Sequence, residues 1–142
     1  MSKGSVLLGL FATVLFASFT LAQSKEIKHV PVKATSAASG QEMYQTYCAV
    51  CHGKDGKGNG PAADAMKSAP TDLSKLASNN GGKYPADKVS NTIRGDQNIP
   101  AHGSKDMPIW GSLFWHMSQG HQSEVQLRIA NLNKYIESLQ AK

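Results

Sequence analysis

The sequence predicts an all-α domain. Three observations carry this expectation. Val125, Ile129, Leu132, Ile136 and Leu139 recur at steps of four, three, four and three residues, the stripe of an amphipathic helix. Ser39-Gly40-Gln41-Glu42 and Ser123-Glu124-Val125-Gln126 each place a serine hydroxyl three positions before a Glu or Gln, the pattern of a capping box at a helix start. No segment shows the apolar–polar alternation that a half-buried strand requires.

The first 22 residues stand apart from the rest. Lys3 makes a short basic start, residues 6–22 carry no charge, and Thr20-Leu21-Ala22 offers small residues where a signal peptidase cuts. A secretory signal peptide is expected, with an uncleaved anchor as its competitor, since 17 uncharged positions lie at the short edge of a bilayer span. Either way the rest of the chain is expected to be exported, to a bacterial periplasm. No Cys follows the apolar run, so lipid attachment is not indicated. Residues 23–38 show no sustained period and few large apolar side chains, and read as a poorly ordered tether. That leaves residues 39–142 as the domain.

This domain is short of core material. Of the 120 residues after Ala22, only 28 are Val, Ile, Leu, Met, Phe, Trp or Tyr, and three of the four Phe lie before it. Two domains or a large barrel are excluded, and two cysteines cannot make a disulfide scaffold. Either the domain is loose or something other than side chains fills its middle. The formal charge of +5 is spread along the chain and not interleaved with aromatics, so no nucleic-acid surface is expected. The charge permits a mild attraction to an acidic protein partner.

Along the domain, the first helix is expected from Ser39 to about Val50, with Gly40 and Tyr44 on one face. It leads into Cys48-Ala49-Val50-Cys51-His52. Two thiols three positions apart followed at once by His are the attachment signature of c-type haem. On one helical turn both sulfurs face the same way, and His is the usual proximal ligand to haem iron. A redox dithiol would need a fold with alternating strands and helices. A zinc site would need further ligands, and there is no second Cys pair. Short helices are expected at 62–67, 72–77 and 85–94, with Pro85 at a first helical position and Gly95 as the stop. A loop rich in chain breakers follows: Gly95, Pro100, Gly103, Pro108 and Gly111. The amphipathic helix closes the chain, with Tyr135 beside its stripe.

Over residues 39–139 the sequence resembles the class I monohaem bacterial cytochromes c. The resemblance rests on the CxxCH motif, on the Gly-rich run Gly53-Lys54-Asp55-Gly56-Lys57-Gly58-Asn59-Gly60-Pro61, on Met107-Pro108-Ile109-Trp110-Gly111, and on Tyr135-Ile136 in the last helix. It implies about three to five helices wrapped around one covalent haem c. It further implies thioethers to Cys48 and Cys51, iron ligated by His52 and Met107, and Trp110 beside the haem. Gly40 is implied to allow close crossing of the first and last helices. Pro108 biases Met107 toward an extended backbone that projects its side chain. His102 is the rival ligand, while Met43, Met66 and Met117 read as packing residues. A ligating His gives its other ring N–H to an acceptor; the family uses a proline carbonyl, and Pro70 is preferred here over Pro61.

The expected function is periplasmic electron transfer, with an oxidase, reductase or dehydrogenase as redox partner. The chain is not expected to be an enzyme itself. The alternative is a haem subunit or a small haem enzyme whose labile sixth site handles peroxide or a gas. Lys54, Lys57 and Lys105 are candidates to rim the haem edge, and membrane contact is expected only if the N-terminal segment is kept.

Overall fold

The computed structural model describes residues 32–96 and 107–141. The expected signal segment, His102 and Lys105 lie outside them. The compact unit begins at Val32, and among its described residues every regular element is helical.

The N-terminal helical run has three parts: α1 (Gly40–Met43), a π-helical segment (Tyr44–Cys48) and α2 (Ala49–His52). Ser39 caps it as expected, its hydroxyl accepting from the Glu42 N–H at 3.1 Å. The return arm of the capping box differs. Glu42 accepts from the Ser36 N–H at 3.2 Å instead, because the chain before the helix folds back over its first turn.

α5 (Gln122–Ser138) buries Val125, Ile129, Leu132 and Ile136, four of the five stripe residues. Leu139 is its half-buried C-cap. Its start corrects the sequence expectation. His121 is the N-cap, not Ser123, and its carbonyl accepts from Glu124 and Val125. Glu124 turns to Arg128 at 2.8 Å, and an i,i+4 ion pair takes the place of a second capping box.

α1 crosses α5 at Gly40. A Cβ there would collide with the Asn131 carbonyl, and the Tyr44 and Tyr135 rings meet beside the crossing at 5.2 Å. α3 (Ala86–Arg94) begins one residue after its N-cap Pro85 and ends at Gly95 in the left-handed region. Asn133 of α5 ties α3 down, donating to the Ala86 carbonyl and Ser90 Oγ while accepting from the Tyr84 hydroxyl.

Two expected helices shrink. Within 62–67 and 72–77 only single 3-10 turns form, Ala63–Ala65 and Leu73–Lys75. Asp72 caps the second through the Ser74 N–H. One helix was not foreseen: α4 (Trp110–Met117) starts without a side-chain cap. Its Gly111 serves close approach, since a Cβ there would strike the Arg94 carbonyl. Of the expected tether at 23–38, residues 32–38 are held through their backbone by four helix side chains, and residues 23–31 lie outside the described residues.

Candidate functional site

Cys48 ends the π segment, and Cys51 and His52 lie on α2. The run stops at Gly53, φ +77°, and the Gly-rich loop folds back to satisfy the open carbonyls of the helix end. Gly58 N–H donates to the His52 carbonyl at 2.8 Å, Gly60 to Cys51 at 3.0 Å and Ala62 to Val50 at 2.9 Å. Buried Tyr44 donates to the Gly53 carbonyl at 2.8 Å. Desolvation by burial pushes its phenol well above the usual range, with smaller contributions from nearby groups, so it stays a neutral donor.

All six residues singled out in the sequence line one cleft: Cys48, Cys51, His52, Pro70, Met107 and Trp110. The cleft has two hollows, of about 80 and about 280 Å³, that share Cys48, His52, Thr71, Met107 and Trp110 as walls. Leu73, Leu76, Val89 and Ile93 line the larger one, and Asn79, Asn80, Lys88 and Thr92 add polar groups to it.

The His52 ring is oriented by a carbonyl, but not by that of Pro70. His52 Nδ1 lies 3.0 Å from the Thr71 carbonyl oxygen. A carbonyl only accepts, so Nδ1 carries the proton and the lone pair falls on Nε2. The Pro70 carbonyl instead points at Gly58, where a Cβ would collide with it. Pro70 shapes the turn that presents its neighbour.

The cysteines are unbridged. Burial pushes the Cys48 thiol up to about 12, with Cys51 adding to the rise. A reactive dithiol needs the opposite shift. No group of three or more His, Cys, Asp or Glu among the described residues is arranged to hold a metal.

Trp110 is buried and stacks on Tyr47 at 5.3 Å, with Phe114 6.3 Å from it. Met107 is half-buried against the core. Met43 is fully buried and Met117 Sδ lies 3.7 Å from the Tyr47 hydroxyl oxygen, as packing residues do. Met66 lines the smaller hollow, a placement its sequence context did not signal. Lys54 and Lys57 are exposed, and Lys57 pairs with Asp55 at 3.3 Å. Thr71 and Lys88 were missed. Thr71 differs from the expected orienter by one position. Lys88 carries no signal beyond its place on a helix.

An all-helical domain that brings a CxxCH turn, an oriented histidine and a methionine to one apolar cleft is built as a c-type cytochrome. Residues 35–119 match the family described as cytochrome c oxidase, cbb3-type, subunit III, and the chain belongs to that family. No curated protein matches the chain, and no solved structure does. A cytochrome c domain carries electrons by haem, and the family implies haem and its iron. The donor set fits that group. Two thiols and an imidazole with its lone pair on Nε2 share the cleft with a thioether. The apolar wall suits the macrocycle, and the polar residues around Lys88 suit its carboxylates.

Proposed function

We propose that this chain is an exported one-electron carrier that serves an oxidase or another redox partner. Cys48 and Cys51 would hold one haem covalently, and His52 and Met107 would ligate its iron. Haem supplies the reversible ferric–ferrous couple. The protein's own residues bind it, orient it and keep water from it. The Thr71 carbonyl fixes the His52 tautomer and strengthens its basicity. Trp110 and the aliphatic wall lower the local dielectric. The observation that carries this reading is the convergence of all six sequence-selected residues on one cleft, with His52 Nδ1 held at 3.0 Å.

The family description favours an oxidase as the partner. Export rests on the charge-free segment at 6–22. The test is to produce the chain with haem-maturation machinery and record the pyridine haemochrome and the carbon monoxide response of the ferrous form. Covalent haem that resists carbon monoxide is the expected result. Ready binding would replace the carrier with a protein whose sixth site is open, and haem extractable by acidic solvent would remove the thioether assignment.

A further inference from the structure

Residues 32–38 lie across the helices as a strap, held by side chains acting mostly on its backbone. Arg128 Nη1 donates to the Thr35 carbonyl at 2.9 Å, Asn131 Nδ2 donates to the Ala37 carbonyl at 2.9 Å, and Glu42 accepts from the Ser36 N–H at 3.2 Å. The Tyr47 hydroxyl reaches the Lys33 carbonyl at 2.6 Å and Thr35 Oγ1 at 2.9 Å. Tyr47 has one proton, and the Lys33 carbonyl can only accept it. Thr35 therefore donates to Tyr47, while itself accepting from Arg128 Nη1 at 3.3 Å. The result is a directional chain from a buried guanidinium, through Thr35 and Tyr47, to the strap carbonyl. Each link polarises the next.

The other end of Tyr47 faces the cleft. Its ring is stacked on Trp110, 5.3 Å between centroids and 28° between planes, and lies 6.2 Å from Phe114. Tyr47 and Trp110 both line the smaller hollow, and Tyr47 directly precedes Cys48. One side chain thus touches the strap through its hydroxyl and the cleft wall through its ring.

We propose that Tyr47 is a positioning residue that couples the docked strap to the haem cleft: strap binding fixes the Tyr47 ring, and the ring holds Trp110 against the cofactor. Release of the strap frees the Tyr47 hydroxyl, loosens the stack and admits water beside Trp110. A wetter site favours the more highly charged ferric state, so the reduction potential falls. Residues 32–38 thereby set the potential without touching the cofactor.

Trypsin offers a direct probe, because the carbonyl that Tyr47 holds belongs to the peptide bond cut after Lys33. Haem-loaded full chain is compared as parent, Tyr47→Phe and Thr35→Val. Cleavage after Lys33 is timed by mass spectrometry, and the midpoint potential and the tryptophan near-ultraviolet circular dichroism are recorded before and after the cut. Tyr47→Phe keeps the ring and loses the hydroxyl, and is expected to be cut about five- to tenfold faster, the population change of one hydrogen bond. Its potential should already lie below the parent's, the cut parent should fall to the same value, and cutting Tyr47→Phe should lower it no further. Thr35→Val, which keeps shape and breaks the chain, should shift both readouts in the same direction and carries the test if Tyr47→Phe fails to fold. Equal cleavage rates would overturn the clasp. Faster cleavage with an unchanged potential and tryptophan signal would overturn the coupling. The inference rests on the haem reading only through the potential. A sample without haem absorbance refutes that reading, while cleavage rate and tryptophan signal still decide the clasp.

Discussion

Gly40→Ala pits local helix propensity against tertiary packing, and the crossing of α1 and α5 decides the sign. Alanine is favoured over glycine inside a helix by about 1 kcal/mol, so the substitution would stabilise an isolated helix. Here the added methyl meets the Asn131 backbone carbonyl, with Tyr135 Cβ also within 3.0 Å. A carbonyl in mid-helix cannot swing aside, so the helices must separate. Such overpacking costs about 1–3 kcal/mol. Separation also loosens the Tyr44–Tyr135 pair, centroids 5.2 Å apart, worth roughly 1 kcal/mol beyond its burial. Set against the propensity gain, the net loss is about 2 kcal/mol. For a domain of this size that lowers the melting temperature by roughly 10 °C. Thermal unfolding of the haem-loaded protein by circular dichroism measures it. Ser39→Ala, which removes only the cap on the Glu42 N–H, serves as reference at about 1 kcal/mol. A Gly40→Ala protein as stable as the parent would show that the crossing is looser than its geometry implies.

Met107→Ala should abolish the absorption band of methionine-bound ferric haem and lower the potential, whereas Met66→Ala, lining the same hollow, should leave the band intact; the reverse result would exchange the two assignments. Glu124 is held below the usual carboxylate value by its hydrogen bond and charge pairing with Arg128, and Asp72 below its own by the Ser74 hydroxyl. Their folded values are depressed, so their stabilisation is present above the unfolded carboxylate range near pH 4 and is lost as pH falls through the folded values. Glu124→Gln should therefore flatten the acid limb of a stability–pH curve and leave neutral-to-basic slopes unchanged; an unaltered acid limb excludes this pair as a contributor. Cys48→Ser with Cys51→Ser should yield a chain that is digested rapidly by protease, and a compact, resistant apoprotein would refute haem as the core.

The α5 stripe was legible because burial on one face of a long helix leaves a period in the sequence. So was the Ser39 cap, whose hydroxyl acts within four residues. The first capping box was only half right, since Glu42 chose Ser36 over Ser39, a choice set by the strap. α4 was hidden because the sequence marks neither its start after the N-cap Ile109 nor the reason for Gly111, which is a contact with Arg94 from another helix. The CxxCH motif named three cleft residues outright, because its chemistry requires adjacency. Thr71 could not be separated from Pro70, since a carbonyl belongs to every residue and only the turn decides which one faces His52.

The shortage of large apolar residues is not uniform in space, and its location bears on what completes the fold. Where α1 meets α5 the packing is tight: Met43 and Tyr44 are fully buried, and Leu132 and Ile129 nearly so. The side chains along the cleft are different. Leu73, Leu76, Val89 and Met107 are only half-buried, although each packs against the core, and all four face the larger hollow. Apolar groups left half-wet around a common space forgo part of the roughly 25 cal/mol per Å² that burial yields. Water cannot recover it for them, whereas a flat apolar group can. An evenly loose domain would leave its half-buried residues scattered. Of the nine half-buried apolar residues that pack against the core, these four share the wall that faces Cys48 and His52, so the cleft that carries the chemistry is a part of the core the side chains leave unfilled.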